Sequence, residues 1–355
     1  MEANKTIDIL IDEARDLEED TFIVNEGAVG SEMKFLKASV FEGLGIKLLS
    51  IIGGFLACSF FLGFVFAAGL LRSEDGMLAF GLVLVALTII MSMVTDHRFF
   101  DGAAVALMIS GLSLTGAGLG VESAEVMTLV FMGIALISFV LVKNKMLLFL
   151  SVLIFNLSPV FYSVLPHKSG LILPIVFFIS VGYILVSIGE PCFITASKKL
   201  NQKYTALRAG FLFSFLILLA VMMHGGRIWN VISRHWLTWI IFMLEILIVL
   251  HFVFRHLELD SQKRLFLFLS VIVLLLPLLH VAAVPGAFMV LMLSVFTRNR
   301  TGFACGIISF VYFISRFYYD LNKTLLEKSM LLLVTGSLFL LLWFFVKKMF
   351  RNEEV

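Results

Sequence analysis

Charge is scarce in this chain. Only 15% of its 355 residues are Asp, Glu, Lys or Arg, where a soluble domain carries about a quarter, so water is not its main solvent. The 27 basic and 25 acidic residues leave a net charge of +2. No Lys/Arg-rich run lies beside stacking aromatics in a polar segment, which argues against nucleic acid as a partner. Three cysteines, Cys58, Cys192 and Cys305, are scattered and unpaired by spacing. They read as small apolar fillers rather than a disulfide framework or a metal site. Catalytic signatures are missing too: there is no H-E-x-x-H, G-x-S-x-G, P-loop or C-x-x-C. No enzymatic activity, cofactor or metal is therefore expected. The chain has no Pro/Gly/Ser linker, no low-complexity tract and no evident repeat relating its halves, so an inverted-repeat transporter is not supported. Its first 45 residues are polar and acidic, which excludes a cleavable signal peptide at its start. The first apolar run is expected to act as an uncleaved signal anchor.

What is abundant is hydrocarbon, at 60% of residues. Runs of roughly 17 to 25 apolar residues recur, the length a helix needs to cross about 30 Å of bilayer core. They are continuous rather than alternating, which excludes a transmembrane β-barrel. The expected fold is all-α: a polytopic transmembrane helical bundle of about 12 spans, with both termini cytosolic. Candidate spans are 46–71, 77–95, 102–120, 126–142, 146–165, 171–189, 209–223, 237–254, 265–281, 286–297, 302–315 and 330–346. The ninth and tenth are the weakest, because Pro277 and the Val284-Pro285-Gly286 turn interrupt one long apolar stretch. That stretch could be a tight hairpin, a re-entrant loop or a single broken helix, since unpaired backbone at that depth must be shielded by protein. Cytosolic connections are rich in Lys and Arg. The twelve-span arrangement places 20 of the 27 basic residues inside and 7 outside, whereas fusing 265–297 into one span gives 18 against 9. Twelve spans therefore fit better, with the loop around 316–329 outside.

Residues 1–44 form a polar arm and 45–355 the membrane domain. In the arm, Ile7, Leu10, Ile11, Ala14 and Leu17 follow the spacing of one helical face, with Asp8, Asp12, Glu13 and Asp16 elsewhere. An acidic polar face disfavours adsorption on anionic lipid. The arm reads either as a short amphipathic helix packed on the protein's own cytosolic face or on a partner, or as a solvated tail.

Ionisable groups at membrane depth are expensive and mark function or pairing. Glu245 lies midway between the interfacial Trp236 and Phe254. It could relay a proton, bind a cation or hydrogen-bond a neighbouring helix. His280, just after Pro277, can satisfy a carbonyl that the proline frees. Asn156, ahead of Ser158 and Pro159, suits interhelical glue. Together Glu245, His280 and Asn156 are a candidate intramembrane polar site. Glu190, before Pro191, reads as reaching the headgroups. The Gly-rich G-L-S-L-T-G-A-G-L-G at 111–120 reads as a close-packing face. His251, His256, Glu258 and Asp260 read as a solvated helix end, since their spacing matches no standard metal set.

The connection at 315–330, S-R-F-Y-Y-D-L-N-K-T-L-L-E-K-S-M, is crowded with polar groups. Tyr318 and Tyr319 suit the interfacial aromatic belt, and Arg316 can snorkel to headgroups. Arg316 and Asp320 stand four apart and can pair on a helix. Thr324 and Glu327 have capping-box spacing before the last apolar run. Lys328 lies near that helix's positive end, so a carboxylate such as Asp320 is its expected partner. Arg316, Asp320 and Lys328 thus form a candidate outer-face contact.

The strings F-T-R-N-R-T-G at 296–302 and S-R-F-Y-Y-D-L-N-K-T-L-L-E-K-S at 315–329, followed by an apolar span with Thr335-Gly336, resemble the C-terminal signature of a bacterial membrane-protein family, the domain of unknown function 4401 family. The resemblance implies a multi-pass inner-membrane protein of unassigned activity, with lipids and other membrane proteins as its partners. It assigns no catalytic residues. Two functions follow as expectations: a component of a membrane complex, or a transporter or ion-permeation protein using Glu245.

Overall fold

The architecture comes from a computed structural model. It describes residues 73–94, 98–120, 123–163, 169–196, 198–224, 235–256 and 282–320, with parts of 53–69 and 324–344. Among the described residues every regular element is helical. The α-helices are α1 Glu74–Val94, α2 Arg98–Leu119, α3 Ala124–Leu141, α4 Lys145–Ser163, α5 Ile172–Ile188, α6 Glu190–Ala196, α7 Lys198–His224, α8 His235–His256, α9 Ala283–Phe296 and α10 Arg300–Asp320, with a 3-10 turn at Ser169–Leu171. Seven are long and apolar enough to cross a membrane, and α5 and α9 are shorter apolar helices. This is a membrane protein built from helices, as hydrocarbon demands of a backbone that must satisfy its own hydrogen bonds. Hydroxyls inside the helices follow the same rule. Thr88, Thr115, Thr128, Ser151 and Ser214 each donate to the carbonyl four residues earlier, at 2.7 to 2.8 Å.

Nine of the twelve expected spans coincide with α1 to α5 and α7 to α10. Two differ in detail. The span placed at 209–223 begins at Lys198, so four cations of the presumed loop, Lys198, Lys199, Lys203 and Arg208, ride on α7. Val284-Pro285-Gly286 is no turn but the first turn of α9, where proline's missing N–H leaves no helical bond unmade. Span 265–281 lies outside the described residues, as do residues 1–44. Spans 46–71 and 330–346 are described only in part.

Helices in lipid associate through close packing and polar contacts rather than a hydrophobic driving force. The α1–α2 hairpin illustrates the first. A Cβ on Gly81 would lie 2.6 Å from the Thr115 amide nitrogen, and one on Gly118 would lie 2.5 Å from that of Leu78. The glycine-rich stretch is thus a close-packing face, and it faces α1. A larger core joins α5, α7, α8 and α9, with Tyr183 stacked on Phe215 at 5.9 Å and Phe215 edge-on to Phe242 at 5.6 Å.

The two faces of the bundle differ in charge. Lys203 on α7 donates to the Phe139 and Val140 carbonyls at the end of α3, a cation placed at a helix's negative end. Lys143, Lys145, Lys203, Arg208, Arg298 and Arg300 therefore share one face. At the opposite face Tyr162, ending α4, donates to Glu125 in the first turn of α3, and Glu74 and Asp75 open α1. The end of α8 lies at the basic face, where Phe252 meets Phe296 at 5.8 Å. The start of α9 lies at the other face, where Gly286 abuts Leu219 near the end of α7.

Candidate functional site

Among the described residues, a polar junction forms where α5, α6, α7 and α9 meet at the basic face. It is built by two local structures. Helix α5 stops at Gly189, whose N–H donates to the Leu185 carbonyl at 2.8 Å. Glu190-Pro191 then opens α6, with proline in a first turn that suits it. Helix α9 ends in a Schellman turn. The Arg298 N–H donates to the Val295 carbonyl at 3.2 Å and the Asn299 N–H to the Ser294 carbonyl at 2.9 Å. Arg298 sits in the left-handed region at φ 50°, and α10 starts two residues later.

Arg208 projects from α7 between these ends. One terminal nitrogen donates to Glu190 Oε2 at 3.1 Å, and the other to Thr297 Oγ1 at 2.6 Å. Thr297 Oγ1 in turn donates to the Leu293 carbonyl at 2.8 Å. The Arg208 side chain is 13% exposed and that of Glu190 37%, so the pair bridges the interior and the surface. The planar fork of arginine serves two acceptors at once, which lysine cannot do. The guanidinium carbon stands 6.0 Å from the Tyr204 ring centre, and the Tyr204 hydroxyl donates to the Val186 carbonyl at 3.1 Å. The Ser187 and Ser294 hydroxyls and Arg208 Nε are buried without hydrogen-bond partners among the described residues.

The sequence places Glu190 at the headgroups and Arg208 in a connecting loop, so it misses this junction. Arg208 is separated by 18 residues from Glu190 and by 89 from Thr297, beyond any local spacing. The available signal is Thr297 within the F-T-R-N-R-T-G string.

Among the described residues, Glu245 and Asn156 belong to separate hydrogen-bonded pairs. Glu245 on α8 is 4% exposed, and its Oε1 lies 2.7 Å from Ser180 Oγ on α5. Ser180 Oγ is also 2.8 Å from the Val176 carbonyl. Ser180 is the donor to Glu245 Oε1, whereas Glu245 Oε2 has no hydrogen-bond partner among the described residues. Asn156 on α4, equally buried, donates from Nδ2 to Ser214 Oγ on α7 at 3.2 Å. His280 lies outside the described residues.

On the other face, the capping box forms as the sequence predicts. The Thr324 N–H donates to Glu327 Oε2 at 3.0 Å, and the Glu327 N–H to Thr324 Oγ1 at 3.3 Å. Lys328 Nζ stands 5.2 Å from the centre of the Tyr318 ring, a cation–π contact that links the two sides of the connection. Arg316 is exposed on α10, and the Asp320 side chain lies outside the described residues. Among the described residues no three His, Cys, Asp or Glu side chains come together as metal ligands.

Comparison with protein families matches residues 44–349 to the family described as a domain of unknown function (DUF4401). No curated protein and no solved structure matches the chain.

Proposed function

The chain belongs to the DUF4401 family, and from that premise we propose that it is a multi-pass protein of the bacterial inner membrane and a non-catalytic component of a membrane complex. The observation that carries this reading is the placement of α10. It packs chiefly on α9, with lighter contact to α7, and turns Phe303, Ile307, Ile308, Val311 and Ile314 outward. The two segments of the family-like signature, 296–302 and 315–329, sit at its two ends. The Arg208 junction fastens the α9 end of that hairpin to the rest of the bundle, so α10 is presented from a fixed base. A second membrane-embedded helix is the partner this surface suits. Twelve spans with both ends cytosolic accompany the proposal. The Arg208–Thr297 bond supports it, because fusing 265–297 into one span would put Thr297 on the face opposite Glu190.

The test is photocrosslinking in membranes from positions 308 and 311 on α10, against Leu185 on the exposed side of α5. A defined protein adduct from α10 and lipid adducts alone from 185 are expected. Lipid alone from all three positions would overturn the reading. A second reading, ion or proton permeation, rests on the buried Oε2 of Glu245, which has no hydrogen-bond partner among the described residues. It predicts flux into liposomes that Glu245→Gln abolishes, and it fails if the flux is unchanged.

A further inference from the structure

The basic face carries more cation than the described residues neutralise. Lys203 and Arg208 on α7 are engaged, the first by the carbonyls that end α3 and the second by Glu190 and Thr297. Lys143 and Lys145, where α3 passes into α4, and Arg298 and Arg300, where α9 passes into α10, are exposed. None of these four has a carboxylate partner among the described residues. Helix α7 ties their two loops together, because Lys203 reaches the end of α3 and Arg208 reaches Thr297, next to Arg298. Residues 203 and 208 stand about 7.5 Å apart along a helix, so the four charges share one patch.

The N-terminal arm approaches from this same face. The helical residues described within 53–67 lead through Gly69 to the start of α1 at the acidic face. Phe61 stacks on Phe80 at 6.2 Å, so this segment runs antiparallel to α1 and its earlier residues lie towards the basic face. In the arm, residues 8–20 read D-I-L-I-D-E-A-R-D-L-E-E-D, seven acids and one base.

We propose that this acidic run docks on the cation patch of its own chain, its carboxylates on Lys143, Lys145, Arg298 and Arg300. The signs are complementary, and an acidic polar face is a poor ligand for anionic headgroups. Length permits the contact: roughly 25 residues separate the run from the first span, and a coil of that length spans about 28 Å. Tethering on that scale holds the acids at an effective concentration on the order of millimolar, which favours the chain's own arm over a free acidic partner.

The experiment traps the contact in membranes, in the full chain with Cys58, Cys192 and Cys305 replaced by serine. A cysteine at position 16 should form a disulfide with one at position 145 severalfold more than with one at position 328, on the opposite face. Lys143→Glu with Arg300→Glu should abolish the trapping, and adding Asp12→Lys with Glu13→Lys should restore it. Salt at about 1 M, where the Debye length falls to about 3 Å, should weaken it severalfold. Because the cysteine replacements could disturb packing, unmodified protein is separately treated with a carbodiimide, which joins a carboxylate to an amine it touches. Amide links from residues 8–20 to Lys143 or Lys145 are expected. Equal trapping at positions 145 and 328, or trapping unmoved by the charge reversals, would overturn the proposal. So would carbodiimide links that run only between isotope-labelled copies or to another protein, or photocrosslinks from position 145 that capture lipid alone.

Discussion

At the scale of single residues, the α9–α10 turn holds a non-glycine residue where the chain geometry favours glycine. Arg298 at φ 50° pays about 1 kcal/mol for its Cβ in the left-handed region. Arg298→Gly is expected to raise the thermal midpoint in detergent by roughly that much stability, and a lowered midpoint would contradict the Schellman assignment. Arg208 behaves in the opposite sense. Arg208→Ala leaves Glu190 and Thr297 without their shared donor and should lower stability by about 2 kcal/mol, since the pair is partly buried. Arg208→Lys should recover only part of that loss, because one ammonium cannot hold both acceptors in a planar fork. Unfolding in graded SDS against wild-type protein measures both variants.

At the scale of elements, the α1–α2 hairpin depends on backbone approach. A Cβ at position 118 would stand 2.5 Å from the Leu78 nitrogen and 2.7 Å from the Glu74 oxygen, and backbone atoms cannot swing aside as side chains do. Gly118→Leu should therefore part the hairpin and cost about 3 kcal/mol or more, read as lost disulfide trapping between cysteines placed on α1 and α2. Gly116→Ala is the matched control. Its Cβ would meet only the Phe131 and Met127 side chains, at 3.3 and 3.6 Å, so little change is expected. That the Gly-rich stretch packs closely was legible in the sequence, and so was the Thr324–Glu327 capping box, because both depend on spacings of a few residues. Which helix the glycines meet was not legible, since periodicity describes one helix and says nothing of its neighbour. The true start of α7 was hidden for a related reason. A hydropathy boundary at 209 follows the last cation, yet the helix continues through Lys203 and Arg208 because each finds a carbonyl or carboxylate partner.

At the scale of the whole molecule, most of the described cations gather on one face, while Glu74, Asp75 and Glu125 lie on the other beside Arg316 and Lys328, so the bundle carries a built-in orientation. Single cysteines at Lys143 and Arg298 should be labelled from one side of the membrane, and those at Glu74 and Tyr319 from the other. Labelling of positions 143 and 298 from opposite sides would break the arrangement. Composition made the helical membrane class and the positions of nine apolar helices legible, because the price of unpaired backbone in lipid leaves long apolar runs few alternatives. The Arg208 junction was not legible, because its members come from three separate parts of the chain. That separation has a consequence in time. Thr297 is translated 89 residues after Arg208, so during synthesis the arginine enters the membrane long before its second acceptor exists. The bond can close only once the last helical hairpins are inserted and docked, which makes it a marker of completed assembly. A chain stalled before that point presents Arg208 to Glu190 alone, without its Thr297 acceptor.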